Sequence, residues 1–113
     1  MSFKEITKTD QLTAGTMKEF QLDGQPILVA NIEGQFYAIK GRCTHMGGEL
    51  AKGKLEGKVV TCPRHGSRFD VTTGKSLSGP KIGFLHLNAK DEPVYPVKVE
   101  GSSLLVDLGE MKS

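Results

Sequence analysis

Both cysteines of the 113-residue chain and two of its three histidines fall into one spaced pattern. One residue separates Cys43 from His45 and two separate Cys62 from His65, with sixteen residues between the halves. Each half combines a thiol, which binds metals as the thiolate, with an imidazole, which binds them through a ring nitrogen. Two such halves on neighbouring loops would form a four-ligand Cys₂His₂ metal site.

Three kinds of chemistry use these donors. Structural zinc takes tetrahedral sulfur and nitrogen ligands, but zinc fingers place both cysteines in one half and both histidines in the other. A cysteine nucleophile with a histidine base would leave a second Cys–His pair unexplained. A [2Fe–2S] cluster with two cysteines on one iron and two histidines on the other suits mixed halves. The pattern favours this cluster over structural zinc and nucleophilic catalysis.

The residues around both halves resemble the Rieske family, from about Gln25 to Leu108. The matching segments are Cys43–Gly48, Cys62–Asp70, Thr73–Lys75, Gly79–Pro80 and Tyr95–Val99. The resemblance implies that Cys43 and Cys62 bind the inner iron, and that His45 and His65 bind the outer iron. Because imidazole is neutral, such a centre is easier to reduce than an all-cysteine cluster.

Neighbouring positions are expected to tune the centre. In the high-potential members of the family, a serine at the place of Ser67 donates a hydrogen bond to a bridging sulfide. Those members carry a tyrosine where Phe69 stands, and a disulfide at the places of Gly48 and Arg64. This chain shares one of these features and lacks the others, which predicts an intermediate reduction potential.

Two further parts of the family pattern concern the covering of the cluster. Met46 is expected to give apolar cover, and Pro80 matches the proline loop that lies over the cluster. The segment Lys81–Pro93 is longer than we expect for compact ferredoxins and is predicted to be an extra hairpin or a docking loop. His86, inside this segment, is predicted to be a strand residue rather than a ligand, because four ligands are already assigned.

Short apolar runs between glycine turns predict an all-β fold. The expected strands are Met17–Leu22, Pro26–Ile32, Gln35–Lys40, Lys58–Thr61, Ser67–Val71, Val94–Glu100 and Ser103–Leu108. Thr9–Leu12 is expected to form a turn, and Gly41–Lys54 a functional loop. The Rieske resemblance implies an antiparallel β-sandwich with a small cluster-binding subdomain inserted between strands. We expect one domain, residues 1–113, with the subdomain at residues 40–81.

The net charge of +2 averages two unlike parts. Residues 40–81 contain nine Lys and Arg and three Asp and Glu, whereas the rest of the chain contains six Lys and Arg and ten Asp and Glu. So small a net charge argues against a nucleic-acid partner. The basic part is either a solvated face or a surface that steers an acidic partner into place. Candidates for steering are Lys40, Arg42, Lys52, Arg64 and Arg68.

The longest aliphatic run, Ile27–Ala30, is far below the roughly 20 residues that span a bilayer, and the N-terminal sequence shows no signal peptide. A cytoplasmic protein without a membrane partner is therefore expected. The resemblance implies a monomeric one-electron carrier rather than an enzyme. It would pass electrons from an NAD(P)H-dependent flavoprotein reductase to a terminal oxygenase or another redox protein. The alternative is a small Rieske-type subunit of a larger oxidoreductase such as nitrite reductase.

Overall fold

The structure, a computed structural model, describes residues 3–43, 47–64, 66–78, 81–82, 85–86 and 91–109. Two short 3₁₀ turns lie at Thr9–Gln11 and Leu50–Lys52. The strands are β1 (Phe3–Lys8), β2 (Met17–Leu22), β3 (Gln25–Ile32), β4 (Gln35–Lys40), β5 (Lys54–Glu56), β6 (Val59–Thr61), β7 (Arg68–Asp70), β8 (Ser76–Ser78), β9 (Lys81–Ile82), β10 (Leu85–His86), β11 (Val94–Tyr95), β12 (Val97–Glu100) and β13 (Ser103–Asp107). Among the described residues, no helix is long and apolar enough to cross a membrane.

The strands form three main sheets and one hairpin, and every pairing is antiparallel. The central sheet has the order β11-β4-β3-β2, and a three-stranded sheet has the order β1-β13-β12. We call these two sheets the base. The small sheet has the order β5-β6-β7-β8, and β9 pairs with β10 alone.

Two-residue turns set the register of the central sheet. Asp23 and Gly24 connect β2 to β3 with φ of 51° and 76°, and Glu33 and Gly34 connect β3 to β4 with φ of 54° and 90°. A positive φ at both turn positions is the type I′ geometry, which follows the natural twist of paired strands. The turn signals read from the sequence therefore position β4, the strand that leads directly to Cys43.

Strand β3 is buried on both faces, which accounts for its continuous aliphatic run. Ile27 and Val29 face one cluster, the base core, together with residues of β13 such as Leu104. Leu28 and Ala30 face a second cluster, the loop core, which includes residues of the small sheet. The central sheet is thus the middle of three layers, with the three-stranded sheet on one side and the small sheet on the other.

The small sheet is inserted between two neighbouring strands of the base. The chain leaves the central sheet at the end of β4 and returns at β11, and these two strands pair with each other. The backbone N–H of Lys40 also donates to the carbonyl oxygen of Pro93 at 3.0 Å. The antiparallel sandwich with an insertion is thereby confirmed, whereas the subdomain bounds of 40 and 81 stay a prediction.

One predicted strand, Val94–Glu100, is wrong as a continuous element. It is divided at Pro96 into β11, which pairs with β4, and β12, which pairs with β13. Proline has no N–H to donate to a ladder, so it marks the place where the chain passes from one sheet to the other. The expected hairpin within Lys81–Pro93 is present as β9 and β10, where Ile82 is paired with Leu85.

Three strands were missed. β1 contains an irregularity in its pairing with β13 between Glu5 and Thr7. An irregularity of this kind interrupts the two-residue alternation of inward and outward side chains by which strands are recognised. β5 and β8 have only three residues each, too few to establish a periodic pattern. Thr9–Gln11 forms a short 3₁₀ helix where a turn was expected.

Candidate metal centre

The two cysteines begin two loops with the same main-chain hydrogen bonds. In the first loop, residues 43–48, the N–H of Cys43 donates to the carbonyl of Gly48 at 2.8 Å, and the N–H of Gly47 donates to the carbonyl of Cys43 at 3.1 Å. In the second loop, residues 62–67, Cys62 donates to the carbonyl of Ser67 at 2.7 Å, and Gly66 donates to that of Cys62 at 3.1 Å. Both loops therefore close at the same fourth and fifth residues after cysteine.

The glycine in the fourth place is needed in both loops. Gly47 has φ of 68° and Gly66 has φ of 79°, in the left-handed region that other residues adopt only with strain. In both loops, the residue before the cysteine pairs with the residue that follows the loop. These pairs are Arg42 with Glu49 and Thr61 with Arg68. The sequence spacing conceals this equivalence, because the histidine is the second residue after one cysteine and the third after the other.

Both cysteines face the same apolar cluster. Cys43 is 4% exposed and Cys62 is 3% exposed, and neither forms a disulfide. They share the loop core with Leu28, Ala30, Ile39, Leu50, Val60, Phe69 and Val71. Two thiols in one apolar cluster, each at the start of a matching loop, are donors suited to a soft metal.

The two loops lie against each other at Gly48. A methyl group at this position would lie 2.6 Å from the Sγ atom of Cys62 and 3.1 Å from the Cγ atom of Arg64. Gly48 and Arg64, the positions that the family resemblance matches to a disulfide, are therefore neighbours in the structure. Contact between the loops is made instead by the aliphatic stem of Arg64 lying over the bare backbone of Gly48.

Ser67 has a buried hydroxyl group. The side chain is 1% exposed, and its Oγ atom has no hydrogen-bond partner among the residues that the structure describes. Leaving a buried polar group without a partner costs about 1–3 kcal/mol. A sulfide of an inorganic cluster held between the loops would accept this hydrogen bond, so the residues present fit a [2Fe–2S] group.

Of the other predicted site residues, the structure describes one, Phe69. Phe69 is fully buried in the loop core with both cysteines, where it provides apolar packing and no hydroxyl. His45, Met46, His65 and Pro80 lie outside the described residues. Their expected roles as ligands or as cover therefore stay predictions.

An ion pair that sequence reasoning missed ties the first loop to the base. The guanidinium of Arg42, the residue before Cys43, contacts the carboxylate of Glu19 on β2. Both side chains are mostly buried, so this pair is screened less than a surface pair. Nothing in the sequence links the two residues, which are 23 positions apart.

The turn after β7 is organised by Asp70. The N–H and the hydroxyl of Thr72 donate to Oδ1 of Asp70 at 2.9 and 2.6 Å, and the Nζ atom of Lys58 lies 3.4 Å from Oδ2. Burial alone would raise the pKa of Asp70, but these hydrogen bonds and the lysine together hold the pKa below its ordinary value of 3.8.

The lowered pKa makes part of the stability depend on pH. A carboxyl group with a depressed folded-state pKa stabilises the fold above its unfolded value, and this contribution is lost as the pH falls through the folded value. We expect Asp70→Asn to lower the free energy of unfolding by about 1 kcal/mol at neutral pH. The difference from the parent should shrink below about pH 4. Denaturant unfolding of both proteins as a function of pH measures this.

Asp10→Asn, at an exposed site, is the control. A difference for Asp70→Asn that stays constant from about pH 7 to about pH 3 would contradict the assignment.

Comparisons with known proteins agree on one family. Residues 2–88 match the Rieske [2Fe-2S] domain, a range that contains both loops. The ferredoxin component of biphenyl 2,3-dioxygenase from Rhodococcus jostii (strain RHA1) is 36% identical over 108 residues, which covers 96% of this chain and 94% of that protein. The ferredoxin component of the naphthalene 1,2-dioxygenase system from Pseudomonas aeruginosa is 35% identical over 98 residues, covering 87% and 88%.

Solved structures give the same result. The ferredoxin of carbazole 1,9a-dioxygenase from Nocardioides aromaticivorans IC177 aligns with a TM-score of 0.77 at 29% identity, covering 94% of this chain and 97% of that one. A chain in the complex of reduced oxygenase and oxidized ferredoxin in carbazole 1,9a-dioxygenase aligns with a TM-score of 0.83 at 28% identity, covering 98% and 97%. The similarity therefore extends over nearly the whole chain.

Proposed function

Since the chain belongs to the Rieske [2Fe–2S] family, we propose that Cys43, His45, Cys62 and His65 bind its [2Fe–2S] cluster. The observation that carries this proposal is the matching closure of the two loops, with a buried cysteine outside any disulfide at the start of each. The mixed order of thiol and imidazole in each half supports it. Ser67 supports it too, because its buried hydroxyl needs an acceptor.

When bound, the cluster takes up and releases one electron. Cys43 and Cys62 would bind one iron as thiolates, and the apolar loop core to which they belong would keep water away from the sulfur atoms. His45 and His65 would supply neutral imidazoles to the other iron, so the cluster would carry less negative charge than an all-cysteine one. The Ser67 hydroxyl would donate a hydrogen bond that is stronger when the acceptor carries more negative charge.

The chain is an electron carrier rather than an enzyme, as its relatives are ferredoxin components of dioxygenase systems. We propose that it receives electrons from an NAD(P)H-dependent flavoprotein reductase and passes them to a terminal oxygenase, as a monomer in the cytoplasm. The similarity to a chain in a complex of oxygenase and ferredoxin supports this acceptor. These relatives favour the independent carrier over a small subunit of an enzyme such as nitrite reductase.

Replacement of the three histidines one at a time tests the ligand set. We expect His45→Asn and His65→Asn to lose the red-brown colour and the electron paramagnetic resonance signal of the reduced protein, because each removes a nitrogen ligand. His86→Asn is the matched control and should keep both, since it changes the only other histidine. Labelling histidine with nitrogen-15 should alter the nitrogen couplings of the signal.

The opposite result, loss of the cluster in His86→Asn with retention in His45→Asn or His65→Asn, would overturn the ligand assignment. A colourless parent protein that binds zinc would overturn the proposed function as a whole.

Removal of the Ser67 hydroxyl should lower the reduction potential. A hydrogen bond to a charged acceptor contributes about 1.5–3 kcal/mol. Only the difference in the strength of this hydrogen bond between the oxidised and the reduced protein changes the reduction potential. Since a tenfold change in a one-electron equilibrium corresponds to about 59 mV, we expect Ser67→Ala to shift the potential down by roughly 30–60 mV. Spectroelectrochemical titration measures the shift.

Ser67→Thr, which keeps a hydroxyl, is the control and should retain most of the parent's potential. Equal potentials in the parent and in Ser67→Ala would show that the hydroxyl does not bond to the cluster.

A further inference from the structure

In the part of the chain that the structure describes, three cationic side chains around the second loop are in no ion pair, whereas Arg42 and Lys52 beside the first loop are. We propose that Lys54, Arg64 and Arg68 form the recognition surface for redox partners, and that the partner presents an acidic patch to it. This inference rests on the proposed function as an electron carrier, and it adds which side of the site is approached and by what chemistry. We call these three residues the cationic surface.

Two of the three residues lie in one row across the small sheet. Lys54 of β5 is paired with Thr61 of β6, and Thr61 is paired with Arg68 of β7. Directly opposed residues of antiparallel strands point to the same face, and adjacent strands are about 4.8 Å apart. The Cα atoms of Lys54 and Arg68 are therefore separated by about 10 Å.

The row faces away from the loop core. Along β6 and β7, the alternate residues Val60 and Phe69 are buried in that core with the two cysteines. Lys54 and Arg68 on the other face are exposed. The sheet therefore holds its apolar residues against the site and presents these two cations to solvent, with the exposed Glu56 farther along β5 on the same face.

Arg64 adds a third charge at the tip of the second loop. Its side chain is exposed, while its aliphatic stem lies over Gly48 of the first loop. Thr61, the middle residue of the row, directly precedes Cys62 in the chain, and Arg64 follows Cys62 by two residues. A partner bound to this surface would therefore lie beside the second loop, which contains the proposed ligands Cys62 and His65.

Three cations near the first loop and at the far end of the small sheet are in ion pairs. These ion pairs are Arg42 with Glu19, Lys52 with Glu49, and Lys58 with Asp70. Among the described residues, no ion pair includes Lys54, Arg64 or Arg68. Lys18 and Lys40, on the central sheet, and Lys75, beyond β7, are also in none of these ion pairs, but they lie outside the row and the second loop. Since the field of an ion pair largely cancels at a distance, we expect Lys54, Arg64 and Arg68 to attract an acidic partner to this side of the site.

Two forms of one acceptor test the proposal. The reduced protein gives one electron to the ferric haem of cytochrome c, which becomes ferrous. Native cytochrome c is basic, whereas succinylated cytochrome c carries carboxylates in place of its lysines. At low salt we expect reduction of the succinylated acceptor to be at least about tenfold faster than reduction of the native one. The difference should vanish as ionic strength rises from about 0.01 M to about 1 M.

A pair of double variants with equal loss of charge locates the effect. Lys54→Gln/Arg68→Gln should reduce the preference to less than about threefold, while Lys4→Gln/Lys98→Gln, on the three-stranded sheet, should leave it unchanged. Cluster absorbance per chain checks that each variant is intact. If Lys54→Gln/Arg68→Gln loses its cluster, the same rates are compared between the single variants Arg64→Gln and Lys4→Gln.

Equal rates for both acceptors in the parent would overturn the proposal and leave the cations as a solvated face. An equal effect of both double variants would overturn it as well, because net charge rather than this surface would then govern the rate. A reduced protein that passes no electron to either acceptor would overturn the proposed function itself and this inference with it.

Discussion

Gly53→Ala is expected to destabilise the protein and to empty much of its cluster site. Gly53 follows the 3₁₀ turn at Leu50–Lys52, and a methyl group there would lie 1.8 Å from the carbonyl oxygen of Thr61. That oxygen belongs to the backbone of β6, so it cannot rotate aside as the end of a side chain can. We expect a loss of about 3 kcal/mol or more, the upper end for overfilled sites.

The effect should reach the metal centre because Thr61 directly precedes Cys62. Displacement of the end of β6 moves the second loop, so cluster content per chain should fall together with the thermal midpoint. About 4 °C per kcal/mol, typical of a domain near this size, predicts a decrease of more than about 10 °C. Circular dichroism during heating and iron content per chain measure the two effects.

Gly57→Ala is the matched control for this substitution. Gly57 lies in the same part of the chain, has φ of 61°, and has no atom within 4 Å of an added methyl group. The strain of a left-handed alanine costs about 1 kcal/mol, with no displacement of β6. Similar midpoints and iron contents for the two variants would show that contact with Thr61 does not matter.

Phe69→Ala is expected to have the second large effect. Phe69 is 0% exposed and, among the residues whose burial the structure describes, is the largest fully buried side chain, in the loop core with Cys43 and Cys62. Replacement of a buried phenylalanine by alanine costs about 3–5 kcal/mol through lost burial and the cavity left behind. Water entering this cavity would reach the sulfur atoms, so the half-life of the cluster in air should also shorten.

Phe69→Leu separates loss of volume from loss of the ring. Leucine fills most of the space and is expected to cost about 1 kcal/mol, with little change in the half-life of the cluster. Denaturant unfolding and the decay of visible absorbance measure both properties. Identical results for the alanine and leucine variants would contradict a packing role for Phe69 above the cysteines.

The strands most accurately predicted from the sequence are those with local signals at both ends. β2, β3 and β4 are joined by Asp-Gly and Glu-Gly turns, whose geometry is a property of two adjacent residues. Val94–Glu100 was predicted as one strand across Pro96, because the passage between two sheets at this residue depends on which strands lie nearby. The missed strand β1 depends on pairing with β13 at the other end of the chain, which a local pattern does not reveal.

For the candidate site, the ligand types could be predicted from the sequence, whereas the contacts around them could not. Residue type and spacing alone predict two cysteines and two histidines as ligands, because soft metal ions restrict the choice of ligands. The structure places the two cysteines in one apolar cluster, and the role of the histidines stays a prediction. Burial of the Ser67 hydroxyl and the ion pair between Arg42 and Glu19 are products of tertiary packing. The matching hydrogen bonds of the two loops join main-chain atoms. Apart from the glycine in each loop, the amino-acid sequence therefore contains no sign of them.

Pairing of β4 with β11 has a consequence for how the length of this protein can change. The two strands hold the two ends of the insertion at the distance of neighbouring strands. Pairing within the base therefore offsets the entropic cost of bringing these ends together. That cost grows only with the logarithm of length, by about 0.6 kcal/mol for each doubling. Residues can thus be added or deleted at the β9–β10 hairpin at little cost, whereas interruption of the β4–β11 ladder would release both ends.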